Sequence, residues 1–150
     1  AAPIRADSWS EGRFPIPVFE GYTSHFGMRR AADGTLRPHN GLDIAAPFGS
    51  PVLCWWHGRV IETIVDDSCG IGVVIASGKY HHIYCHLRRQ RLRRDQWVSA
   101  GQVIGQVGLT GRTTGAHLHW GIRHSGRWLD PAEILRAMIR GRRAIVPVGP

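Results

Sequence analysis

Between positions 51 and 123 the chain reads as short apolar runs cut by glycine-containing turns. The runs are "PVLCWWHGRVIETIV", "GIGVVIASG", "HHIYCHL", "WVSAGQVIGQVG" and "HLHWGIR". Runs of this length, rich in Val, Ile and Trp, predict strands of an all-β antiparallel sandwich or barrel. "SGK", 77–79, predicts a hairpin turn between strands at 71–76 and 81–87. A helical period occurs once, in "DPAEILRAMIRG". Asp130 suits the N-cap, Pro131 the first helical position and Glu133 the third. Ile134, Leu135, Met138 and Ile139 make an apolar stripe, and Gly141 is expected to end the helix. The proline-bearing start reads as an extended arm over 1–21, the compact domain as 22–141 and the remainder as an irregular tail over 142–150.

The pattern also brings pairs of polar residues together. In "TTGAHLHWG" the two imidazoles alternate, so in a strand His117 and His119 share one face while Leu118 and Trp120 point to the other. That arrangement suits a metal site or acid–base chemistry, and equally a half-buried strand with surface histidines. In "RPHNGLDIAAP", His39 and Asp43 would stand about 13 Å apart in a straight strand at ~3.3 Å per residue. Two ligands of one Zn²⁺ lie no more than roughly 4 Å apart. The chain must therefore fold back between them if both bind one metal, and Asn40-Gly41 is a turn signal at that point. His39, Asp43 and one histidine of the pair give the ligand count of an open, catalytic zinc site. The other histidine stays on the same face for proton transfer. "YCHL" adds His86, with Tyr84 expected on the same strand face. His57, His81, His82 and His124 need no function, and His25 reads as a surface residue.

At 150 residues the chain fits one domain with a sizeable core, and no apolar run approaches the roughly 20 residues of a membrane span. The net charge is +8, and all but one of the nineteen basic residues are Arg, which favours anionic partners. The densest run, "RRQRLRR" at 88–94, reads as a solvated loop. It lacks the interleaved aromatics of a single-strand nucleic-acid binder. Three cysteines without a CxxC pair argue against a zinc knuckle. Cys69 and Cys85 flank the 77–79 turn almost symmetrically, which predicts a cross-strand disulfide and leaves Cys54 free.

Taken in order, these motifs resemble the lysostaphin/LytM-type zinc endopeptidases over about residues 22–135. The segments that carry the resemblance are "TSHFGMR", "HNGLD" followed by "IAAPFGSPV", "YCHL", "VSAGQVIGQVGLTGRTTGAHLHW" and a closing "DP" before a helix. The resemblance implies a compact β domain with a duplicated hybrid motif. It implies Zn²⁺ held by His39, Asp43 and His119, with His86 and His117 as non-ligand catalytic histidines. It implies hydrolysis of peptide bonds in bacterial peptidoglycan by an extracytoplasmic, monomeric enzyme without a nucleic-acid partner. No Glu adjoins the ligands as in H-E-x-x-H enzymes, so histidine is expected to act as base. The alternatives are a non-catalytic peptidoglycan-binding or amidase-activating relative, or a nucleic-acid-binding β domain. The first would lack zinc ligands, and the second leaves the ordered His/Asp set unexplained.

Overall fold

The computed structural model describes residues 11–31 and 33–145. Its architecture is the expected one, antiparallel β structure with one C-terminal helix. Seven strands lie side by side in the order β1 (Gly21–Ser24), β4 (Leu42–Ala45), β11 (His117–His124), β8 (Tyr80–Arg89), β7 (Gly70–Ser77), β6 (Gly58–Asp66) and β9 (Trp97–Val98). β10 (Val103–Val107) joins β8 to β5 (Pro51–Leu53), and β12 (Arg127–Leu129) pairs with β11. β2 (Gly27–Arg30) and β3 (Leu36–His39) form a separate hairpin. β7 and β8 meet through Gly78-Lys79, where Gly78 has φ +61°, as the first position of a two-residue II′ turn requires.

Alternation sets the two faces of the central strands. Leu118, Trp120 and Ile122 of β11, Leu42 and Ile44 of β4, and Tyr84 of β8 are fully buried, with Trp55 at the centre. Residues between them, Asp43, His117 and His119, lie on the opposite face. Ile16 from the preceding segment is also buried, and Arg13 N–H and Leu53 N–H bond to Trp55 O and Pro15 O. Residues 1–10 of the expected arm lie outside the described residues.

The helix α1 (Pro131–Ile145) begins as the sequence predicts, with Ala132 N–H donating to Asp130 Oδ1 at 2.9 Å. It packs Ile134 and Met138 on the core, and Trp55 Nε1–H donates to Met138 Sδ at 3.1 Å. Two expectations need correction. Ile139 is exposed, so the apolar stripe is narrower than predicted. The helix also passes through Gly141 to Ile145. A helical Gly costs only about 1 kcal/mol relative to Ala, and Arg142, Arg143 and Ala144 are good helix formers. The last five residues of the expected tail, 146–150, lie outside the described residues.

The core contains one continuous polar chain. Trp55 N–H donates to Tyr84 Oη (2.9 Å), and Tyr84 Oη–H donates to His82 Nδ1 (2.7 Å). His82 Nε2–H then donates to Ser77 Oγ (2.8 Å), and Ser77 Oγ–H to His57 O (2.7 Å). Every donor in this order has one acceptor, which assigns His82 as neutral with its proton on Nε2. Burial pushes the His82 pKa down to about 3. The arginines of "RRQRLRR" are all exposed; Arg88 and Arg89 end β8, and Arg88 lies over the Phe48 ring at 5.2 Å.

Candidate active site

The chain breaks at Asn40-Gly41, as the sequence requires. His39 ends β3 in the hairpin and Asp43 sits in β4 of the main sheet. The break brings His39 Nε2 to 3.2 Å from Asp43 Oδ1. In β11, His119 lies opposite Asp43, and its Nδ1 is 2.8 Å from Asp43 Oδ1 and 3.3 Å from His39 Nε2. Tetrahedral Zn²⁺ with bonds of about 2.0–2.1 Å places its ligand atoms roughly 3.3 Å apart. Two of the three separations match that edge, and the third is shorter by a few tenths of an ångström. The three residues are thus spaced to hold a metal ion. Gly41 makes room for the cluster, since a Cβ there would stand 2.6 Å from His119 Cε1 and 2.7 Å from Trp120 O.

Backbone carbonyls set the tautomers. His39 Nδ1–H donates to His25 O at 2.8 Å, which leaves the Nε2 lone pair facing Asp43 and His119. Burial opposes ionisation of Asp43, but the His119 and His39 imidazoles packed against its carboxyl outweigh burial. Together they hold the carboxyl well below the usual carboxylate range. The donor set is therefore two imidazole nitrogens and an ionised carboxylate, the set a divalent zinc ion accepts.

Two further imidazoles flank this trio. His117 Nδ1–H is held by Gly115 O (2.8 Å), with Thr113 Oγ1 at 3.0 Å, and its Nε2 lies 3.8 Å from Asp43 Oδ2. His86 Nδ1–H donates to Thr110 O (2.8 Å), and its ring centroid is 5.0 Å from that of His117. Among the described residues neither Nε2 atom has a hydrogen-bond partner, so each can take up a proton. Burial is the main cause of a lowered His86 pKa, so this imidazole is neutral at pH 7.

His86 does not share a face with Tyr84, contrary to the sequence expectation. Tyr84 points into the core with His82. Strand β8 pairs with β11 up to Cys85 and with β10 from Leu87, so His86 falls where the partner changes. Against β7, Tyr84 and Leu87 face Val73 and Ile71, which leaves one extra residue on β8. His86 takes φ +65° at this bulge, and its N–H donates to Cys69 O at 2.7 Å. The bulge turns the side chain from the core face to the site face. The expected disulfide joins Cys69 to Cys85 beside it, with Cα atoms 4.8 Å apart, and Cys54 is a free, buried thiol.

Several residues around the site had no role assigned from sequence. Arg29 NH1 lies 3.5 Å from Asp43 Oδ2 and donates to Ser24 Oγ at 2.8 Å. Thr110, Thr113 and Gly115 hold the His86 and His117 imidazoles. All of these lie in the quoted motifs "TSHFGMR" and "GLTGRTTG", the one signal that could have marked them. The His25 side chain is exposed as expected, but its carbonyl orients His39. His82 is a core residue, and His124 packs against Tyr80 at 4.5 Å.

His39, Asp43 and His119 are spaced to hold a metal ion, with the imidazoles of His86 and His117 beside them. The chain matches the model of peptidase family M23 over residues 37–131 and belongs to that family, in its lysostaphin/LytM-type form. It is 39% identical over 130 residues to the peptidoglycan DD-endopeptidase ShyA of Vibrio cholerae, covering 85% of this chain and 30% of that protein. A zinc-containing peptidase from Vibrio cholerae superposes with a TM-score of 0.75 at 34% identity, over 85% of this chain and 39% of the other. The catalytic domain of lysostaphin from Staphylococcus simulans superposes at 0.67 with 26% identity, over 79% of this chain and 92% of that domain. The chain spans less than a third of the length of the first curated relatives it matches.

Proposed function

We propose that this domain, over about residues 22–141, is a zinc-dependent endopeptidase. Its substrates would be peptide bonds in the stem peptides or cross-bridges of bacterial peptidoglycan. The observation that carries the reading is the convergence of His39, Asp43 and His119 beside two imidazoles whose Nε2 atoms are free. The similarity to a peptidoglycan DD-endopeptidase supports the substrate.

His39 Nε2, Asp43 Oδ1 and His119 Nδ1 would hold the ion. Zinc there would supply a Lewis acid that acidifies a water and polarises the scissile carbonyl. His86, neutral at pH 7 and fixed through Nδ1, accepts a proton at Nε2 from the attacking water. His117, fixed through Gly115 O, would take up a proton at Nε2 beside Asp43 Oδ2 and, as the imidazolium, donate it in a hydrogen bond to the carbonyl oxygen as negative charge develops there. One of the two then gives a proton to the leaving amine. An extracytoplasmic location accords with the disulfide, and the +8 charge would retain the protein on an anionic wall.

The test is digestion of purified sacculi with mass spectrometry of the products, alongside metal analysis. About one zinc per chain and new peptide termini released by the wild type but not by His86→Ala are expected. An unchanged peptide profile from the zinc-loaded protein would overturn the reading.

A further inference from the structure

Three arginines stand on the β2–β3 hairpin that carries His39. Arg37 NH2 is tied to Asp33 Oδ2 at 3.1 Å, and Arg30 NH1 donates to Gly34 O at 2.7 Å. Arg29 turns instead toward the site. Its NH1 donates to Ser24 Oγ and lies 3.5 Å from Asp43 Oδ2. Nε and NH2 have no partner among the described residues, and the side chain is 52% exposed. A guanidinium offers five N–H donors in one plane, matched to a carboxylate in a two-point contact. Here one nitrogen braces the Asp43 side, and the half-exposed side chain leaves the others available to a ligand.

The position matters as much as the free donors. Asp43 directs Oδ1 to His39 and His119, and Oδ2 to Arg29 and His117 Nε2, the latter at 3.8 Å. Arg29 and a proton-carrying histidine thus flank the same oxygen. A group bound by Arg29 lies within about two residues' length of backbone from the bond His117 acts on. Arg29 adds a positive charge beside Asp43 Oδ2, which favours an anionic group at that position.

We propose that Arg29 determines specificity by binding a substrate carboxylate next to the scissile bond. The enzyme then prefers cross-links that carry a free carboxylate at the flanking residue over neutral bridges such as oligoglycine. The proposal rests on the endopeptidase reading above and narrows its substrate class. A neutral peptide costs Arg29 nothing, because its exposed donors stay hydrated, so selection comes from the charged hydrogen bonds gained.

The test uses two synthetic cross-link peptides, identical except that the flanking group is a free carboxylate or its carboxamide. With the zinc-loaded wild type, KM is expected to be about 10- to 100-fold lower for the carboxylate. Arg29→Gln should remove this preference by raising KM for the carboxylate peptide, with kcat little changed and zinc still held against a competing chelator. Arg29→Lys, a point charge without the planar fork, should restore part of it. The same preference read as Kd in the His86→Ala background needs no turnover. It still decides the question if the wild type cleaves neither peptide, an outcome that would sink only the endopeptidase reading. Equal binding of both peptides, or a parallel loss on both with zinc released, overturns the proposal and leaves Arg29 as a brace for Asp43.

Discussion

The carbonyl of Thr110 accepts the Nδ1 proton of His86 at 2.8 Å, and the Thr110 hydroxyl locks the surrounding backbone. Oγ1–H donates to Leu87 O at 2.6 Å, and Oγ1 accepts from Ile71 N–H at 3.0 Å. One residue thereby ties β8, β7 and the 108–112 loop around the bulge that presents His86. Thr110→Val is expected to lose about 1–3 kcal/mol of stability and to lower turnover while metal content is unchanged. Thr110→Ser, which keeps the hydroxyl, should restore most of both. Thermal melting, metal analysis and kinetics on the same preparations check this.

Removing His119 or Asp43 takes away one of the three proposed ligands. Ala at either position should abolish metal binding and activity together. His86→Ala and His117→Ala should keep the metal and the fold, with turnover down about 10²–10⁴-fold. Chelation of the wild type should abolish activity and added Zn²⁺ restore it. If His117→Ala lost the metal while His119→Ala kept it, the roles within the pair would be exchanged.

Gly41 is needed for space. A Cβ at this position cannot stand 2.7 Å from the carbonyl oxygen of Trp120 and 2.6 Å from the His119 ring. Gly41→Ala should push His119 away and weaken metal affinity by about 10–100-fold, the usual effect of disturbing the support of a ligand. Competition with a chromogenic chelator measures it.

His82 makes stability depend on pH. Buried within the Tyr84–His82–Ser77 chain, it binds a proton only near pH 3 when folded, against 6.5 as the ordinary value. Between these values the unfolded chain binds more protons, so stability falls as pH falls. The loss is about 1.4 kcal/mol per pH unit, beginning below 6.5. Urea unfolding at pH 7, 5.5 and 4.5 should show this slope, and His82→Gln should flatten it. Unchanged midpoints across that range would contradict the account.

The disulfide closes a 16-residue separation, worth roughly 3 kcal/mol in the chain-entropy model. Reduction should lower the melting temperature and also turnover, because Cys69 O holds the His86 backbone. In denaturant without reductant one cysteine should alkylate, and after reduction three. Native Cys54 should resist alkylation, since burial pushes its thiol up to about 12.

Much of this was legible in the sequence, because the relevant signals are local. Alternation in "HLHW" put His117 and His119 on one face, and Asn40-Gly41 marked the fold-back that brings His39 to Asp43. The 77–79 turn placed Cys69 near Cys85, and Asp130-Pro131 started the helix. Each signal depends on residues a few positions apart and on backbone preferences that need no distant partner. The tertiary structure alone decided which way His86 faces. Alternation would send it into the core after His82 and Tyr84. The exchange of β11 for β10 as the partner of β8 inserts the bulge that turns it to the site. Likewise, the carbonyls of His25, Thr110 and Gly115 that set the imidazole tautomers carry no side-chain signature. Nor does spacing show that Arg29 reaches Asp43, or that Gly41 leaves a gap for His119. These relationships join segments up to about eighty residues apart, and only the pairing of the strands brings their backbones within reach.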